Sequence, residues 1–88
     1  MIRRRVVVHG FVQGVFFRDT LRRRALAHGI SGWARNTRDG TVEAVFEGAA
    51  ESVDALVALC RQGPRGARVD RIEVVEEEPE GLQGFWIG

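Results

Sequence analysis

The order of strand-like and helix-like segments constrains the fold of this chain more than any other feature. β-branched or alternating apolar residues predict four strands, and apolar residues at helical spacing predict two helices. These segments follow the order strand, helix, strand, strand, helix, strand, at residues 6–8, 18–28, 31–36, 41–48, 50–62 and 68–78. This order predicts an α+β fold, the ferredoxin-like split β-α-β sandwich, in which two helices pack on one face of an antiparallel sheet. The short apolar segment 84–88 is a candidate for a fifth strand at the edge.

The pattern also predicts which strand residues face water. Residues 42–47 alternate between an apolar set and a set that contains Glu43 and Glu47, which predicts a half-buried strand. The acidic run 76–78 is interpreted as a solvated strand end.

The length of 88 residues suits one domain, so we expect a single domain over residues 1–88. No segment approaches the ~20 apolar residues that span a bilayer, and the apolar run at 6–8 is too short for a secretory leader. We therefore expect a cytoplasmic protein with no membrane partner.

The single cysteine, Cys60, excludes an internal disulfide and a cysteine-based metal cluster, and its place in an apolar helix stripe predicts a buried thiol.

The basic residues are all arginines, and nine of them fall within residues 1–38 beside one acid, Asp19. A positive field of this kind attracts anions, and an RNA-binding domain is one class that would use it. RNA-binding domains of this fold stack bases on exposed aromatic side chains of the sheet. Residues 41–48 lack that pattern and carry Glu43 and Glu47, so we expect no nucleic-acid partner.

The junction between the first strand and the first helix, "GFVQGVFFR" at residues 10–18, is the strongest candidate for a functional site. Glycine lets main-chain N–H groups approach a ligand, and a helix start presents unpaired N–H groups and the positive end of its dipole. Arg18 adds a guanidinium fork that suits phosphate oxygens. We expect one of Phe16 and Phe17 to anchor the loop and the other to enter the core. Taken alone, the pattern also fits a tight turn with an exposed arginine.

Asn36 is the second unusual residue, because asparagine is poorly suited to a strand interior. It stands several residues before the turn signal at Asp39-Gly40, so turn chemistry does not fully explain it. One interpretation is an edge-strand asparagine that bonds to solvent. The other is an amide aimed at the end of the sheet, where it holds a water molecule.

His9 and His28 have no partner at metal-ligand spacing, so we expect no metal site.

Three stretches of the sequence resemble the acylphosphatase family: "HGFVQGVFFR" at 9–18, "GISGWARNTRDGTVEAVFEG" at 29–48 and "GFWI" at 84–87. The resemblance covers essentially the whole chain, in order. It implies a free-standing enzyme that hydrolyses acyl phosphates to a carboxylate and inorganic phosphate. It also implies that Arg18 is a catalytic arginine that binds the phosphate, and that Asn36 is a catalytic asparagine that orients the attacking water.

The same resemblance implies a substrate-binding loop whose main-chain amides cradle the phosphate. Its residues are Gln13, Gly14, Val15, Phe16, Phe17 and Arg18. The departures from the family pattern are mild: Asp19 and Thr20 follow the arginine where many members carry bulkier residues, and Ala34 replaces a more usual valine. We expect Asp19 to point outward from the first turn of the helix.

The chemistry of an acyl phosphate agrees with these residues. Its leaving group is a carboxylate, whose conjugate acid has a pKa near ~4–5, so it departs as an anion without a general acid. We therefore expect in-line attack by water on the bound phosphate, with no metal and no cofactor. The expected partner is a small acyl phosphate, and acetyl, carbamoyl and glyceroyl phosphates are all compatible with the site. We expect the enzyme to be a monomer. The alternative is a non-catalytic regulatory domain that binds acyl phosphates or other anions.

Overall fold

The computed structural model describes residues 1–88 and contains five strands and two helices. In chain order these are β1 (Ile2–Phe11), α1 (Phe17–Ala27), β2 (Ser31–Asn36), β3 (Val42–Gly48), α2 (Ala50–Gln62), β4 (Arg68–Glu77) and β5 (Phe85–Ile87). The strands form one sheet in the order β4-β1-β3-β2-β5, and both helices pack on the same face of it. The predicted ferredoxin-like fold is therefore confirmed. Neither helix has the length and apolar character needed to cross a membrane.

The sheet is mixed, which corrects the expectation of a purely antiparallel one. The pairs β1–β3, β1–β4 and β2–β3 are antiparallel, whereas β5 lies parallel to β2. The chain reverses after β4 and re-enters the sheet at the far edge, beside β2, which runs opposite to β4. β5 therefore runs in the same direction as β2, with Phe85 opposite Gly32 and Ile87 opposite Ala34.

One hydrophobic core lies between the helices and the sheet. Val6 and Val8 of β1 lie opposite Ala44 and Val42 of β3, so these four buried side chains share the helix-facing side. The helices cover them with Phe17, Leu21, Ala25, Val53, Leu56 and Cys60. Burial raises the pKa of the Cys60 thiol to about 12, so this cysteine is the buried, unreactive side chain that the sequence predicts.

β1 and α1 differ from their predicted bounds for reasons that the structure shows. β1 is ten residues long, not three. Its arginine-rich start joins the sheet because Arg3 and Arg5 pair with acidic residues of β3 and β4. α1 begins one residue early because Phe16, with φ 60° and ψ 27°, takes the cap position before it.

β3 is also buried on the sheet face opposite the helices, so the prediction of a half-buried β3 is wrong. Val45 is 0% exposed and Glu47 is 1% exposed. The Glu47 carboxylate accepts a hydrogen bond from Arg3 Nη1 at 2.7 Å. The acidic run 76–78 is not wholly solvated either, because Glu77 pairs with Arg3 at 2.8 Å. The partner Arg3 comes from β1, so the alternation within β3 alone does not show the burial of Glu47.

Glu47 also fixes the connection between β4 and β5. Its carboxylate accepts three main-chain N–H hydrogen bonds of 2.8–3.1 Å, from Glu80, Gly81 and Leu82. Desolvation by itself would raise the pKa of Glu47, but the N–H of Glu80 and the guanidinium of Arg3 outweigh it, so the pKa is lowered. The connection held in this way leads β5 to the edge of the sheet beside β2.

Candidate active site

The loop between β1 and α1 turns through two residues with left-handed backbone conformations. Gly14 has φ 76° and Phe16 has φ 60°. Glycine adopts such a value freely, whereas a residue with a side chain rarely does. Phe16 is the cap of α1, and its side chain makes no capping hydrogen bond to the helix. The first turn of α1 is thus left open on the side of the loop.

Main-chain N–H groups at this junction lack acceptors within the protein. From Gln13 to Asp19, none of these groups donates a hydrogen bond to another protein atom. The next one, of Thr20, donates to the carbonyl of Phe16 at 3.0 Å. A row of free donors at a helix N-terminus, where the dipole is positive, favours the binding of an anion.

Arg18 lies in the first turn of α1, beside these donors. Its Nη1 donates a hydrogen bond to the main-chain oxygen of Gly88 at 2.5 Å. Gly88 is itself held to β2, because its N–H donates to the carbonyl of Ala34 at 2.9 Å. No Asp or Glu side chain pairs with Arg18. The guanidinium is therefore anchored at one nitrogen, and its remaining N–H groups can bind an anion.

Asn36 is the last residue of β2. It lies opposite the buried Val42, on the helix-facing side of the sheet. β5 pairs with β2 only from Gly32 to Ala34, so Asn36 extends past the end of β5. Its carboxamide makes no hydrogen bond within the protein and faces the same cavity as the loop. This position favours the interpretation of an amide aimed at the end of the sheet.

Arg18 and Asn36 line one cavity of about 210 Å³. Its other walls are formed by Val12, Gly14, Phe16, Phe17, Asp19 and Ile87. The structure thus brings most of the predicted loop together with Asn36, but Gln13 and Val15 are not part of the cavity wall. Val12 and Ile87 were not among the site residues predicted from the sequence. Ile87 lies in the "GFWI" stretch, which was the one signal that pointed to it.

The Gln13 side chain does not line the cavity, so its expected place in the phosphate cradle depends on its main-chain N–H alone. Its Nε2 donates hydrogen bonds to the main-chain oxygens of Thr37 and Thr41, at 2.8 Å and 2.9 Å. Both acceptors belong to the turn between β2 and β3, which begins directly after Asn36. Gln13 therefore ties the loop to the strand end that carries Asn36. Its main-chain N–H remains one of the free donors.

The two phenylalanines of the loop have different surroundings. Phe17 is 2% exposed and belongs to the core, as expected for one member of the pair. Phe16 is 79% exposed, so the expectation that the other ring anchors the loop is wrong. The left-handed backbone at Phe16 turns its side chain out of the core and toward the mouth of the cavity.

The titratable side chains near the loop have partners of their own. Asp19 Oδ2 lies 3.1 Å from Arg23 Nε, one helical turn along the exposed surface of α1. His9 lies outside the cavity, with its Nε2 at 2.5 Å from Glu73 Oε2. No three side chains of the types that bind metals form a group. Arg18, the Asn36 amide and the free N–H groups are therefore the polar groups available for a ligand.

Comparison with known proteins identifies the family. The sequence model of the family described as Acylphosphatase matches residues 4–87. This chain belongs to the acylphosphatase family. It is accordingly a hydrolase that acts on acyl phosphates, as the family name states, and the resemblance found in the sequence is confirmed.

Individual acylphosphatases are similar in sequence and in structure. The acylphosphatase of Rubrobacter xylanophilus is 60% identical over 83 residues, which cover 92% of this chain and 74% of that protein. The crystal structure of acylphosphatase from Bacillus subtilis has a TM-score of 0.95 at 34% identity and covers 100% of this chain and 99% of that one. Full-length HypF has a TM-score of 0.91 at 25% identity, over 99% of this chain but only 12% of HypF. The acylphosphatase fold therefore also occurs as a small part of longer proteins.

Proposed function

We propose that this enzyme hydrolyses the carboxyl–phosphate bond of small acyl phosphates by direct, metal-free attack of water on phosphorus. The products are a carboxylate and inorganic phosphate. One observation carries the proposal. A row of main-chain N–H groups without acceptors lies beside Arg18, and Asn36 lines the same cavity.

The phosphate group is held by the loop and by Arg18. Its oxygens accept hydrogen bonds from main-chain N–H groups between Gln13 and Arg18, which have no competing acceptor. The guanidinium supplies a positive charge and several donors to the same oxygens. These interactions strengthen as negative charge spreads over the equatorial oxygens in the transition state, so they accelerate the reaction as well as bind the substrate.

Asn36 positions the attacking water. A carboxamide both donates and accepts hydrogen bonds but does not titrate near neutral pH, so it orients water without removing its proton. The water oxygen forms a bond to phosphorus while the bond from phosphorus to the acyl oxygen breaks. The electron pair of the broken bond leaves on the carboxylate, and a phosphate oxygen takes the proton of the water. No protein base takes part in this scheme.

The leaving group decides which phosphates this site hydrolyses. A carboxylate is a weak base that departs without protonation at neutral pH. The leaving group of an alkyl phosphate ester is an alkoxide, a strong base whose departure needs an acid or a metal. A site built from a guanidinium, an amide and N–H groups therefore suits mixed anhydrides and not ordinary phosphate esters.

The test of this proposal is phosphate release from benzoyl phosphate in excess chelator, corrected for spontaneous hydrolysis. We expect turnover that chelation leaves unchanged. Loss of turnover on chelation that a divalent cation restores would contradict the metal-free mechanism. A folded protein that binds inorganic phosphate but hydrolyses no acyl phosphate would favour the alternative, a non-catalytic regulatory domain that binds anions.

We also propose that residues 1–88 act as one domain and as a monomer in the cytoplasm. A monomer is supported by the edges of the sheet. The outer strand β4 carries several charged side chains, and β5 at the other edge has only three residues. The cytoplasm is supported by the single, unpaired Cys60.

A further inference from the structure

Phe16 combines two features that packing does not explain. Its ring is 79% exposed, so it contributes little to the core. Its backbone is in the left-handed region, which costs free energy for any residue with a side chain. Backbone strain of this kind persists where the surrounding structure enforces it, often at a ligand site. Phe16 lies at such a place, because it lines the cavity that holds Arg18 and Asn36.

Ile87 supplies a second apolar surface at the same cavity. It is 41% exposed, lines the cavity and comes from β5, which is far from the loop in the sequence. Its position follows from the register of β5 against β2, where Ile87 lies opposite Ala34. The phosphate is held at the N–H groups and Arg18, so the acyl group extends from that point toward the remaining walls. Apart from Asp19, Asn36 and Gly14, those walls are formed by apolar residues.

The charges around the cavity disfavour an anionic acyl group. Arg18 is the only cation among the lining residues, and the phosphate occupies it in the proposed mechanism. The only other charged lining residue is Asp19, an anion whose partner Arg23 lies outside the cavity. A second negative charge on the substrate would therefore find no free cation.

We propose that Phe16 and Ile87 form an acyl subsite, which makes the enzyme selective for acyl phosphates with uncharged, apolar or aromatic acyl groups. This inference rests on the proposed function, because the phosphate position orients the acyl group. The ring of Phe16 lies against the acyl group, and Ile87 covers its other side. An aromatic acyl group buries more apolar surface there than an acetyl group does, so it binds more tightly.

The test compares kcat/KM for benzoyl phosphate with that for acetyl phosphate, as a ratio, in each variant. Wild type should favour benzoyl phosphate. Phe16→Ala should lower the ratio about tenfold, mainly through KM for benzoyl phosphate, as expected for the loss of one aromatic contact. Any damage to the phosphate loop affects both substrates and cancels in the ratio. Ile87→Ala should lower the ratio in the same direction, and Phe16→Leu should restore part of it.

The matched control is Phe11→Ala. Phe11 is another exposed phenylalanine, 57% exposed at the end of β1, but it does not line the cavity. Its replacement should leave the ratio unchanged. A wild type that does not favour benzoyl phosphate, or a ratio that Phe16→Ala leaves unchanged, would overturn the acyl subsite. If the proposed function itself fails, wild type hydrolyses neither substrate, which is a distinct result.

Discussion

Arg18→Ala is expected to lower kcat/KM for benzoyl phosphate by about 10³- to 10⁵-fold, the range measured for arginines that stabilise phosphoryl transfer. Arg18 is the only cation that lines the cavity. No Asp or Glu side chain pairs with it, and its hydrogen bond to Gly88 uses one nitrogen, so its other N–H groups are available to the phosphate. Inhibition by inorganic phosphate should weaken in parallel, because the same guanidinium binds the phosphate of the product. Arg18→Lys should recover only part of the activity, since an ammonium lacks the planar fork.

The matched control for Arg18 is Arg22→Ala. Arg22 is an exposed arginine on the same helix that does not line the cavity, so this variant removes the same charge from the same element. It should retain the turnover of wild type. The single internal hydrogen bond of Arg18 is to Gly88, so circular dichroism and thermal unfolding should be nearly unchanged in Arg18→Ala. If folded Arg18→Ala had the same kcat/KM for benzoyl phosphate as Arg22→Ala, Arg18 would be excluded from catalysis.

Asn36→Ala is expected to lower kcat by about 10²- to 10³-fold, because the attacking water loses the group that orients it. Phosphate affinity should not change, since the loop and Arg18 bind the phosphate without Asn36. The measurement is therefore kcat together with the inhibition constant of inorganic phosphate. The carboxamide has no hydrogen bond within the protein, so its removal should leave the stability of the fold intact.

A neighbouring residue of β2 provides the control for Asn36. Arg35 lies on the opposite face of the sheet and pairs with Glu43 at 2.6 Å, so Arg35→Ala should leave kcat unchanged. If Asn36→Ala weakened phosphate binding as much as it lowered kcat, Asn36 would bind the phosphate and not the water. Normal turnover in Asn36→Ala would remove it from the mechanism altogether.

Features that depend on neighbouring residues in the sequence could be predicted. Helical spacing identified both helices to within one residue, since Leu21, Ala25, Val53 and Leu56 repeat at the period of a helix. The glycines before Arg18 and the asparagine within a strand are likewise local anomalies. These anomalies pointed to the two residues that the fold brings to one cavity.

Features that depend on distant parts of the chain could not be predicted. The burial of Glu47 requires Arg3 from another strand and three N–H groups from the connection after β4. The parallel pairing of β5 depends on where the chain re-enters the sheet. The direction of the Gln13 side chain is set by carbonyls of a turn more than twenty residues away. The exposure of Phe16 follows from a left-handed backbone that its residue type does not favour.

In the proposed mechanism, water attacks phosphorus and not the carbonyl carbon. The most direct measurement is hydrolysis of benzoyl phosphate in water labelled with a heavy oxygen isotope, with mass spectrometry of both products and a parallel reaction without enzyme. If water is held by Asn36 against a phosphate bound by Arg18, the label enters inorganic phosphate and none enters benzoate. Label in benzoate would place the attack on the carbonyl carbon and contradict the mechanism.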